Sequence, residues 1–126
     1  MYNYFMLIGT VTSDVQAKIV NETKKVVNLE LAVAREFKNS KGEIIIDKIR
    51  IDLWESGAEL AERVLKKGSK VGIKGRIAPK WIKLESGAYA SSNDLVGERL
   101  IQITPDGELK EYESFDEVNL DNKEEE

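Results

Sequence analysis

The 126-residue chain is 41% hydrophobic and 33% charged, with a net charge of −4, a balance that supports one modest core and argues against wholesale disorder. It contains no cysteine and no histidine, which excludes disulfides, thiol chemistry, Cys/His zinc sites and any relay built on imidazole. No stretch approaches the roughly 18 apolar residues of a membrane span, and the apolar N-terminal run lacks a basic lead and stops at Gly9; the expectation is a cytoplasmic binding protein, not an enzyme, with no cofactor and no membrane attachment.

Residues 4–12 read as a strand, with Phe5, Leu7, Gly9 and Val11 on one face and Tyr4, Met6, Ile8 and Thr10 on the other, both faces expected to be partly buried. Residues 15–20 make a short strand, and Asn21-Glu22-Thr23-Lys24-Lys25 a turn. From Val26 to Phe37 the alternation is clear, with Val27, Leu29, Leu31 and Val33 facing inward. Asn39-Ser40-Lys41-Gly42 is a hairpin connection to a strand over 43–54, in which Ile45, Ile49, Ile51 and Leu53 share one face, interrupted by Asp47, while Lys48, Arg50, Asp52 and Trp54 take the other.

A helix follows. Ser56-Gly57-Ala58-Glu59 fits a capping box, Leu60, Ala61, Val64 and Leu65 recur at helical spacing, and Gly68 stands where a left-handed C-terminal cap is expected. The next strand, 70–77, places Val71, Ile73, Gly75 and Ile77 inward and Lys70, Lys74 and Arg76 outward; Pro79 is expected to end its pairing and 84–94 to be a loop before a final strand over 95–104. Three or four strands, one helix and two more strands suit an all-β fold, the five-stranded OB barrel with one helix.

Pro105-Asp106-Gly107 marks the expected boundary of that domain, residues 1–105. Residues 106–126 hold ten acids against Lys110 and Lys123, so the barrel segment itself carries a net +4. The acidic segment reads as a disordered tail, one that repels a polyanion or competes with it for a basic groove. Its removal should then tighten binding at low salt.

Cations stand beside an indole in two places, Lys48, Arg50 and Trp54 on one strand, and Lys70, Lys74, Arg76, Lys80, Trp81 and Lys83 on and beyond another. Unpaired nucleic acid calls for this mixture, because phosphates require fixed positive charge and every base offers a flat π-face to stack. Asp52 argues the other way by adding a carboxylate to the proposed face. No enzymatic arrangement competes. Asp47 and Asp52 are five apart on a strand and so lie on opposite faces, and Gly72-Ile73-Lys74-Gly75 lacks the residues of a phosphate loop.

In this order, the residues resemble the bacterial single-stranded DNA-binding protein family of homotetrameric OB-fold type, over residues 1–105. The likeness rests on Asn3 and Leu7-Ile8-Gly9-Thr10-Val11-Thr12-Ser13-Asp14, on Asn28-Leu29-Glu30-Leu31-Ala32-Val33-Ala34, on Gly42-Glu43, Ile49 to Trp54 and Ala58-Glu59-Leu60-Ala61, and above all on Leu65 to Ile77. The resemblance implies nonspecific binding and protection of single-stranded DNA in replication, recombination or repair, at the nucleoid, with bases stacked on Phe37, Trp54 and, allowing a one-residue shift, Trp81. It also implies a homotetramer paired through the N-terminal strand. Three departures stand out. Lys48 occupies a place where some members carry a stacking tryptophan; Phe37 falls in phase with the inward residues; and the acidic segment finishes Asp121-Asn122-Lys123-Glu124-Glu125-Glu126, without the hydrophobic tip through which family members recruit replication and repair proteins. An RNA-binding OB module and a protein-binding OB adaptor remain open alternatives at this level.

Overall fold

The computed structural model describes residues 1–112. The strands are β1 (Phe5–Val11), β2 (Ala17–Val20), β3 (Lys24–Ala34), β4 (Ile46–Trp54), β5 (Lys70–Lys83), β6 (Tyr89–Ile103) and β7 (Leu109–Tyr112), with α1 (Ser56–Val64) between β4 and β5. Five of them close a ring in the order β1-β5-β6-β4-β3, sealed by pairing of β1 with β3. All pairings are antiparallel except β4 with β6, which meet in parallel at Asp52 and Val96. β2 and β7 lie outside the ring, on β3 and β6 respectively.

The inward-facing alternation works as expected. Val27, Leu29, Leu31, Ile51, Leu53, Val71, Ile73 and Leu100 are buried, and Leu60, Ala61 and Leu65 from the helical segment join them. Each buried Val, Leu or Ile side chain contributes about 1.5–3 kcal/mol on burial. On β1 only one face behaves so: Phe5 and Leu7 pack against the core, whereas Tyr4, Met6 and Ile8 stand exposed in the single chain.

Several expectations are corrected. Ser56 is the buried first residue of α1 and makes no cap; Glu55 precedes it at a φ of 51°, and its carboxylate accepts from the Lys25 amide at 3.0 Å. Gly68 is not a helix cap, since α1 ends at Val64. Instead it shapes a turn in which Ser69 N–H donates to Lys66 O at 3.0 Å, while Gly68 N–H donates to Val11 O at 2.8 Å. β4 starts at Ile46 because the preceding residues form an irregular hairpin, and Asp47 is tolerated on the inward face because Arg35 clamps both its oxygens at 2.9 and 3.0 Å.

The largest correction concerns β5 and β6. Pro79 does not stop the pairing and 84–94 is not a loop; the ladder runs unbroken to Lys83↔Tyr89 around a short turn at 84–88. Proline fits because Ile77 bonds through both backbone groups to the Asn3 side chain, on the edge away from β6. Two residues on, the missing Pro79 N–H points to that same edge, where no ladder needs it.

Likewise, Pro105-Asp106-Gly107 turns the chain instead of ending its order, and Leu109–Tyr112 pairs with Leu100–Ile103. The disordered tail expected from residue 106 is therefore strand over 109–112; its remainder, 113–126, lies outside the described residues.

A β-bulge sets where the barrel wall ends and the free ribbon begins. Lys74 faces Arg99, but Gly75 faces Gly97, leaving Glu98 extra. Only glycine fits there: a Cβ on Gly75 would stand 1.9 Å from Val96 O, and one on Gly97 2.3 Å from a Leu53 methyl.

Candidate nucleic-acid interface

The outer face of β4 presents Lys48, Arg50, Asp52 and Trp54, laddered against Ala32, Glu30, Asn28 and Val26 of β3. Trp54 is 38% exposed and stands across the ladder from buried Val26. Asp52 is buried. The Asn28 side-chain amide donates to its Oδ1 at 2.7 Å, and Arg50 Nε donates to the same oxygen at 3.1 Å. The carboxylate that argued against this face is thus sequestered, and it orients the guanidinium of Arg50. Glu30, the other acid in this row, is engaged by the Thr12 hydroxyl at 2.8 Å.

The ribbon beyond Gly75 adds a second wall. Arg50 and Asp52 of β4, with Lys80, Ser92, Asn93 and Asp94 of the ribbon, line a cleft of about 220 Å³. Two cations and two carboxylates leave it balanced rather than uniformly basic. Arg76 sits at its margin, because Arg76, Val96, Asp52 and Asn28 form one row across β5, β6, β4 and β3. Further positive charge on this face comes from Lys48, exposed and, among the described residues, free of ion pairs.

Lys70 and Lys74 are not brought to this cleft. They lie on the outer face of β5 where it pairs with β1, two strands around the ring from β4. Lys74 Nζ stands 5.3 Å from the Tyr4 ring centre in a cation–π contact, among the exposed Met6 and Ile8. That sector is an apolar patch edged by lysines.

Phe37 and Trp81 share a geometric origin. Both continue the inward phase of their strands, Phe37 from β3 and Trp81 from β5, but both lie past the end of the barrel, where no element among the described residues covers that phase. Phe37 follows the last residue of β3 by three and is 81% exposed; Trp81 is 71% exposed on the ribbon. The strand end that alternation alone could not reveal turns Phe37 out. Trp81 and Lys83 occupy the ribbon face opposite Lys80.

Sequence reasoning missed the ribbon residues Ser92 and Asn93, and Tyr89 at its tip, by reading 84–94 as a loop. A signal was present: alternation through Ile77, Pro79, Trp81 and Lys83, resumed through Tyr89, Ser91 and Asn93 after Ser86-Gly87, is that of a hairpin. Away from the cleft, ion pairs fasten the barrel. Arg35 holds the Asp47 carboxyl below its ordinary value by hydrogen bonding, and Glu62 is lowered first by the Ala17 amide and then by Lys25.

Residues 2–103 match the single-strand binding protein family. The single-stranded DNA-binding protein B of Bacillus subtilis (strain 168) is 32% identical over 105 residues, spanning 83% of this chain and 93% of that protein. The single-stranded DNA-binding protein of Halalkalibacterium halodurans is 31% identical over 122 residues, 97% of this chain and 70% of the relative. Among solved structures, a deletion mutant of the single-stranded DNA-binding protein from Thermus aquaticus superposes with a TM-score of 0.68 at 21% identity, over 86% of this chain and 54% of that one, a likeness of fold.

Proposed function

The chain belongs to the single-strand binding protein family, and from that premise we propose that it binds single-stranded DNA without reading sequence and so blocks reannealing, hairpins and nuclease access. The observation that carries this reading is the placement of both indoles outside the barrel, Trp54 on the face of β4 that bears Arg50 and Trp81 on the ribbon that bears Lys80 and Lys83. Bases stack on Trp54, Trp81 and Phe37, while Lys48, Arg50, Arg76, Lys80 and Lys83 contact phosphates. Lys70 and Lys74 take no direct part; their sector fits subunit contact better.

Magnitudes shape the mechanism. Stacking contributes about 1–3 kcal/mol per base, so two indoles supply about 2–6 kcal/mol, which alone corresponds to weak binding. Phosphate contacts must add to this, as must several subunits on one strand, which raise the effective concentration of the next site. The exposed strip Tyr4, Met6 and Ile8 on β1 supports assembly of subunits through that strand, and a homotetramer is the state proposed. Replication or repair proteins are candidate partners of the assembled complex.

The test is a titration with dT oligomers of increasing length at several salt concentrations, read by tryptophan emission. Quenching is expected, with a log–log salt slope near −3 per subunit if about four cations displace counterions, at about −0.7 per phosphate. Trp54→Ala should lose about 1–3 kcal/mol of binding with the barrel still folded. Absence of both quenching and a gel shift at low salt would sink the reading, and tighter binding of ribo- than deoxy-oligomers would redirect it to RNA.

A further inference from the structure

The tip of the β5–β6 ribbon carries two large rings on one face. Lys83 faces Tyr89 and Trp81 faces Ser91 in the ladder, so Trp81, Lys83, Tyr89 and Ser91 project to the same side. Tyr89 is 65% exposed and Trp81 still more so. This is the side that in the barrel holds Val71 and Ile73; past the bulge the same phase bears rings that no element among the described residues covers.

We propose that Trp81 and Tyr89 form a two-ring clamp that holds one unpaired base between them, with Lys83 taking an adjacent phosphate. The inference rests on the single-stranded DNA-binding reading above and adds Tyr89 to it. Residues diagonal across a ladder, as these two are, stand about 7–8 Å apart. A base inserted between two rings needs two stacking layers, about 6.8 Å at the roughly 3.4 Å step of a nucleic-acid strand. Spacing and requirement agree without distortion of the ribbon. The small Ser91 opposite Trp81 leaves one flank of the indole open to an incoming base. Lys83 supplies the complementary charge beside the phenol, and among the described residues it is in no ion pair. Every nucleotide brings a phosphate for that lysine to meet.

The experiment uses the full chain. In a Trp54→Phe background, Trp81 is the only tryptophan, and with tryptophan-selective excitation dT oligomers are titrated against that protein with and without Tyr89→Ala or Tyr89→Phe. Tyr89→Ala should weaken binding about 5- to 150-fold, the range of one base–ring stack, and should cut the quenching of Trp81; Tyr89→Phe should restore both. Because a clamp needs both rings, Trp81→Ala with Tyr89→Ala should lose little more than either change alone. The clamp is overturned if Tyr89→Ala binds like its parent, if the two truncations multiply independently, or if Tyr89→Ala changes only the association state. Failure of the unmodified chain to bind dT at all would instead remove the DNA-binding reading, and the clamp with it.

Discussion

Strands β5 and β6 run as one ladder, yet below Gly75 they are barrel wall and beyond it a free ribbon. Val71 and Ile73 in the lower half are buried against β1, β3 and β4, whereas Ile77 and Trp81, in the same phase of the same strand, are exposed. Backbone pairing is continuous across the two halves; the difference is what lies opposite. In the barrel the inward phase meets other strands and removes apolar surface from water. On the ribbon it meets none among the described residues, so large rings there remain available to a ligand. The boundary is the bulge at Gly75 and Gly97, next to Val96, where β6 pairs with β4 on its other edge.

Five measurements break or sharpen that contrast. The largest effect is expected at the boundary itself. Gly75→Ala drives a methyl into Val96 O, and denaturant unfolding should show a loss of roughly 3 kcal/mol or more. Next, Ile73→Ala should cost about 2–5 kcal/mol in the same assay, but Ile77→Ala, four residues along the same strand, less than about 1 kcal/mol; equal costs would mean the ribbon is packed like the barrel.

Trp81→Ala should reverse the pattern, leaving stability within about 0.5 kcal/mol while binding of dT weakens by about 1–3 kcal/mol. A smaller effect is expected from the acidic segment. Removing residues 113–126, seven acids and Lys123, should tighten dT binding at low salt and have little effect at high salt. An unchanged low-salt affinity would discard competition by that segment. The cut belongs after Tyr112, because one at residue 105 also removes β7.

The smallest effect concerns Glu62. Its carboxyl is held below the ordinary value of 4.5 by the Ala17 amide and Lys25. The stability it provides is therefore complete above that value and lost as pH falls through the lowered one. Glu62→Gln should flatten that part of the acid-side decline in Tm and leave dT binding at neutral pH unchanged.

Much of this was legible from residue order. The alternation of Val27 to Val33 and of Ile49 to Leu53, the helical spacing of Leu60, Ala61, Val64 and Leu65, and the single helix before the last strand pair were enough for the barrel. The exposed Trp54 on a face with Lys48 and Arg50 followed from the same period of two. Pro79 and the glycine- and serine-bearing stretch after it misled, because a proline is compatible with a ladder only where its nitrogen points to a free edge, and which edge is free depends on where Asn3 and β1 end. Ser56 misled for a related reason: a capping box is a local pattern, and here the helix start is fixed by backbone and carboxylate bonds between Glu55 and Lys25.

The sequence by itself determined which side chains alternate inward and which stretches carry cations and rings, because both are properties of neighbouring residues. Only the tertiary structure decided how far each strand stays inside the barrel. That limit separates Ile73 from Trp81, turns Phe37 outward, buries Asp52 beneath Arg50, and sends Lys70 and Lys74 to a different sector from Lys80. Burial depends on what stands across from a residue, and in a closed ring that neighbour comes from a distant part of the chain.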